Sequence, residues 1–160
     1  MLTINCKIVL IAIVAFFFTL VAFNNMTDHE TSLVFVQHVL SMDTVFPDSG
    51  TTWRAITSPA LHAVFYWTIV AWETLTAILC WFAVAKLIPA RKDVLLFKQR
   101  KSYAVLGLTS GFSLYALVFI AVGTEWFQMW QSSTWNSQTT AGLFMTMIGL
   151  TMLIVLAADE

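Results

Sequence analysis

The sequence predicts an all-α, polytopic membrane protein: four transmembrane helices in a bundle, with a cap of short interfacial helices on the outer side. Three observations carry this. Of 160 residues, 59% are hydrophobic and 11% charged, with a mean hydropathy of +0.79, whereas soluble domains run near ~45–50% apolar and ~25% charged. Four apolar runs reach the roughly 20 residues needed to cross the hydrocarbon core. The basic residues gather beside one set of helix ends. At this length the chain is a single membrane domain, 1–160, with no room for a soluble catalytic domain. A net charge of −1 supplies no broad basic face, which argues against nucleic-acid binding.

The first span is expected at about 6–23. Its apolar run, Ile8 to Phe23, follows a single Lys7 and resembles a signal peptide in outline, but Asn24 and Asn25 follow it instead of a small-x-small cleavage site. The second, about 60–88, opens on Ser58-Pro59, a serine N-cap followed by proline in the first turn, and Pro89 is expected to stop it. Its ~30 residues would reach about 45 Å, so it must tilt or project. The third and fourth spans are expected at about 103–122 and 139–158. Lys7, Lys86, Arg91, Lys92, Lys98, Arg100 and Lys101 lie at the termini side or in the 89–102 loop, and only Arg54 lies elsewhere. The positive-inside rule therefore places both termini and the 89–102 loop in the cytoplasm.

Segments 24–58 and 123–138 are then outside. Thr31 to Met42 reads as a short helix too apolar to stand in water, lying on the interface or packed over the bundle. Phe46-Pro47-Asp48-Ser49-Gly50 reads as a turn. Trp53, Trp126, Trp130 and Trp135 at one boundary match an aromatic belt. Cys6 and Cys80 make neither a disulfide framework nor a zinc pattern and are read as reduced. Gly107 and Gly111 form a GxxxG, suited to close helix approach within one copy or between two.

Glu73 is the most informative residue, an acid near the middle of the second span with no Lys or Arg at similar depth. A charge there costs at least about 2.5–3.5 kcal/mol, and desolvation without a cation favours the neutral carboxyl. At 100° per residue His62, Tyr66, Glu73, Thr76 and Cys80 form one polar stripe, although His62 stands ~16 Å from Glu73 along the axis. Three readings are open. The carboxyl bonds to Thr109, Ser110, Ser113 or a backbone carbonyl; it receives a partner's cationic group or a polar ligand; or it serves a proton or cation pathway. Outside, His38 and Met42 are four apart and so share a face of the short helix. With Asp43, Arg54, Glu125, Trp126 and Trp130 they make a second candidate site. Arg54 is expected to pair with Asp43, Asp48 or Glu125. His29, His38 and His62 are the weak candidates for metal, haem, copper or quinone chemistry, without a recognisable ligand spacing. No GxSxG, Walker A, HExxH or GxGxxG occurs.

The strings Gln37-His38-Val39-Leu40-Ser41-Met42-Asp43-Thr44, Phe46-Pro47, Trp53-Arg54-Ala55-Ile56, Trp72-Glu73, Glu125-Trp126-Phe127, Met129-Trp130 and Trp135-Asn136 resemble a family of small bacterial integral membrane proteins, catalogued as domain-of-unknown-function family 2165. The resemblance implies a four-helix fold in a bacterial inner membrane and brings no activity, cofactor or catalytic residue. The expected function is a non-catalytic accessory or binding subunit of a membrane complex, or a homo-oligomer, in contact with lipid and with another membrane protein or itself. A small transporter using Glu73 and an outer-face redox or metal site are the alternatives.

Overall fold

A computed structural model describes residues 2–159. Five helices account for most of the chain: α1 (Leu2–Thr27), α2 (His29–Ser41), α3 (Pro59–Ala90), α4 (Val94–Trp126) and α5 (Gln138–Leu156). All but α2 are long and apolar enough to cross a membrane. Single 3-10 turns at Thr52–Arg54 and Met129–Gln131 complete the cap, and no strand forms among the described residues.

Helices α1, α3 and α4 pack side by side, and α5 closes against α4. Ile11, Val14, Phe18, Leu87, Leu108, Leu114 and Ile148 form the centre of a continuous core. Phe18 meets Phe17 edge-on at 5.3 Å, and Phe144 lies 4.7 Å from Phe17 and 5.2 Å from Tyr115. Val9, Ile13, Phe16, Leu143, Leu150 and Leu153 point outward, the apolar exterior that a lipid-embedded bundle presents. The glycines of the GxxxG serve this packing within one copy. An added Cβ at Gly107 would lie 2.8 Å from Cys80 Sγ, and one at Gly111 would lie 2.6 Å from Phe18.

α1 and α4 depart most from their expected ends. α1 runs past 6–23 at both ends, and α5 begins and ends close to expectation. α3 does start at Pro59, but Pro89 sits inside its last turn. Proline there removes only one N–H from a nearly finished ladder. The 89–102 segment is mostly helix, not loop. Asp93 accepts from the N–H groups of Leu95 and Leu96, both at 3.0 Å, and so starts α4 nine residues before the apolar run at 103. The far half of α4, Leu114–Trp126, is π-helical. There the Phe127 N–H reaches back five residues to Val122 O at 2.9 Å. Such i→i−5 winding usually lasts a single turn, and here it extends to the cap.

Lys7 of α1 and the residues just after α5 meet Lys101 of α4 at one end. Lys7 Nζ bonds Ala157 O at 2.7 Å and Asp159 Oδ1 at 2.6 Å, and Lys101 Nζ lies 2.8 Å from Asp159 Oδ2. At the opposite end α2 buries Val36 and Leu40 over Tyr66, Val70 and Phe127. It begins two residues before Thr31, and Met42 lies beyond its end in the left-handed region at φ 54°. The Phe46–Gly50 turn forms as expected, with Ser49 N–H on Phe46 O at 3.0 Å. Thr44 to Ser132 at 2.9 Å and Phe46 N–H to Gln131 Oε1 at 2.9 Å then stitch the two cap segments together.

Candidate functional site

The stripe on α3 faces inward: His62, Tyr66, Glu73, Thr76 and Cys80 are all buried. Its members do not act as one group. Thr76 Oγ1 lies 2.8 Å from Ser110 Oγ, which also receives the Trp72 indole N–H at 3.1 Å. His62 Nε2 lies 2.7 Å from Ile56 O and ties α3 to the cap. Cys80 packs beneath Gly107.

Glu73 does not use the expected Thr109, Ser110 or Ser113. Its Oε2 accepts from Asn25 Nδ2 at 2.8 Å, and Asn25 Oδ1 in turn accepts from Ser32 Oγ at 3.0 Å. The Tyr66 hydroxyl donates to the Asn25 carbonyl. Glu73 is central along α3, as the sequence places it, and Asn25 stands near the end of α1, about 27 Å from Lys7 at 1.5 Å per residue. α3 is long enough to project past α1, so its midpoint lies just beneath the cap. Only tertiary packing reveals this, because sequence position measures depth along one helix and not across the bundle.

Around Glu73 opens a cavity of about 240 Å³, lined by Asn25, Ser32, Phe35, Val36, Tyr66, Ile69, Glu73, Phe119 and Ser137. Asn25, Ser32 and Ser137 were not foreseen as site residues. Asn25 stood out in the sequence only as one of the two asparagines that follow the first apolar run, and the two serines carry no signal of their own. Phe119 comes from the π-helical half of α4.

The second candidate group divides into two clusters. His38 Nδ1 lies 2.7 Å from Asp43 Oδ2, and its ring stacks on Trp135 at 4.4 Å and 10°. Met42 is buried near His38 but, as the left-handed residue after the helix, shares no helical face with it. Arg54 forms no salt bridge to Asp43, Asp48 or Glu125. Its guanidinium instead lies beside both the Trp53 and Trp126 rings, 5.4 and 4.5 Å from their centres, while the rings meet each other edge-on at 6.1 Å, and it donates to Trp126 O at 3.1 Å. Cation–π contact outweighs an exposed ion pair here, since surface pairs contribute ~0–1 kcal/mol and lose side-chain freedom. Trp53 is 73% exposed, Trp126 48% and Trp130 44%. Trp130 meets Phe46 edge-on at 5.9 Å, and Glu125 stays exposed.

The three histidines do not converge. His29 stacks on Trp67 at 6.4 Å, while His38 and His62 hold the partners given above. Among the described residues no three His, Cys, Asp or Glu side chains come together as a metal-holding group.

The family model described as "Predicted small integral membrane protein (DUF2165)" matches residues 3–158. No curated protein and no solved structure matches the chain.

Proposed function

The chain belongs to the DUF2165 family of predicted small integral membrane proteins, and from that premise we propose that it is a non-catalytic binding protein of the bacterial inner membrane, an accessory subunit of a membrane complex or a homo-oligomer. The observation that carries this reading is the Trp53–Arg54–Trp126 cluster, whose two indoles are exposed on the cap. Arginine and tryptophan are the side chains that most often anchor protein contacts. A guanidinium already held against two rings and bonded to Trp126 O loses little further freedom when a partner binds. Trp130 extends the same surface, and Glu125 beside it offers a charge for orientation.

Native mass spectrometry of protein extracted in mild detergent from its own host tests this. The expected spectrum carries a second polypeptide or a second copy, and Arg54→Ala with Trp126→Ala removes that mass. A wild-type spectrum of the lone chain overturns the reading.

The basic end, where Lys7, Lys101 and Asp159 meet, is assigned to the cytoplasm and the cap to the outer face. Cys6 is exposed and Cys80 buried, so a membrane-impermeant maleimide reports orientation through Cys6. Labelling is expected in inverted vesicles and absent in intact spheroplasts, and the reverse pattern would place the cap inside.

Conduction through one copy finds less support. Beneath the Glu73 cavity Thr76 is fully buried on Ser110, and Phe18 closes against Gly111. That arrangement favours binding at the cap end over passage across the bundle.

A further inference from the structure

The cavity beneath α2 has a donor–acceptor balance that selects its occupant. Every hydroxyl on its wall already donates within the protein. Ser32 donates to Asn25 Oδ1, Tyr66 to the Asn25 carbonyl, and Ser137 to Met129 Sδ at 3.4 Å. What these groups still present to the cavity is their acceptor lone pairs. Glu73 lines the cavity and is 1% exposed, yet only Oε2 has a hydrogen-bond partner among the described residues. Oε1 is left to accept from an occupant. No lysine, arginine or histidine lines the cavity.

The remaining wall is apolar. Val36, Ile69 and the aromatic side chains Phe35 and Phe119 make it up. A ligand suited to this space brings N–H donors and positive charge at one end and a short hydrocarbon at the other. Aromatic faces attract such a cation further. Its buried charge meets a buried carboxylate, the pairing that makes burial of either tolerable. A carboxylate or phosphate ligand would meet acceptors and like charge instead.

We propose that this cavity binds a primary organic ammonium ion, with its N–H groups on Glu73 Oε1 and the wall hydroxyls and its alkyl part against Ile69 and Phe119. The site is distinct from the Trp53–Arg54–Trp126 surface and stands whether or not a protein partner docks there.

Calorimetric titration of the whole chain in maltoside micelles with n-butylammonium chloride tests it, with 1-butanol and sodium chloride as controls. Saturable binding of butylammonium is expected, at least tenfold tighter than 1-butanol. Glu73→Gln should weaken it at least tenfold. Ile69→Trp, which fills the cavity and leaves the carboxyl group in the chain, should abolish it and decides the matter should Glu73→Gln aggregate. No saturable heat with butylammonium overturns the proposal, as does equal binding of 1-butanol, which would mark a merely apolar slot. Undiminished binding in either variant overturns it too. So does full competition by equimolar sodium, which would assign the acid to an inorganic cation.

Discussion

Lys7→Met is expected to destabilise the folded chain by about 3–5 kcal/mol, the cost of removing one partner from a buried pair. Lys7 is 1% exposed and reaches Ala157 O, Ala158 O and Asp159 Oδ1 at once. Methionine matches much of its volume but donates nothing, so Ala158 O and Asp159 Oδ1 lose their partner and Ala157 O keeps only Lys101 Nζ, at 3.2 Å. Asp159 would then keep only Lys101, at 2.8 Å. The double change Lys7→Met with Asp159→Leu should recover most of the loss, because no buried carboxylate remains to be stranded. Unfolding in micelles followed by tryptophan fluorescence measures both. Equal destabilisation by single and double variants would show that the apolar contacts of this end matter more than the pair.

The same cluster gives stability an acid limit. Burial alone would push the Asp159 carboxyl up, but hydrogen bonds and charge from Lys101 and Lys7 outweigh it and hold the group below its ordinary 3.8. A carboxyl lowered in the folded state binds fewer protons folded than unfolded, so its contribution is complete above 3.8 and declines as pH falls through the folded value. Wild-type Tm should therefore fall on acidification below about pH 4, and Asp159→Asn should show a shallower fall.

Gly107→Leu is expected to destabilise by about 1–3 kcal/mol or more, through overpacking. The first added carbon would lie 3.1 Å from Cys80 N and 3.3 Å from Cys80 Cα, as well as 2.8 Å from Sγ. A thiol can turn aside, whereas backbone moves only if α3 and α4 separate along their length. Cys80→Ala in the same chain should accordingly rescue only part of the loss. Gly142→Leu is the contrast, since nothing stands within 4 Å of a Cβ there, and its Tm should stay at or above wild type. Equal damage at both positions would remove close approach as the reason for Gly107.

Membrane class, number of spans, the Phe46–Gly50 turn, the proline start of α3 and the gathering of basic residues at one end were all legible in the sequence. Each rests on composition, run length or local backbone preference, which neighbours in the chain suffice to express. The resemblance carried by the cap strings and Trp72-Glu73 agrees with the family match over 3–158. Ends of α1 and α4 were less legible, because helices continue past the hydrocarbon wherever capping and packing permit, as Asp93 does for α4. The π winding of Leu114–Trp126 left no mark that distinguishes it from an α-helical run.

Composition and periodicity by themselves determined that Glu73, Tyr66 and Thr76 share the inward face of one helix, since that follows from 100° per residue. Which groups meet that face was decided by tertiary structure alone. Asn25 reaches Glu73 because α3 overshoots the end of α1, Ser110 is diverted to Thr76 and Trp72, and Arg54 turns from the nearby acids to two indole rings. Partner choice depends on the relative height and rotation of separate helices, set by long-range packing such as that at Gly107 and Gly111, and pattern within a single helix carries no measure of either.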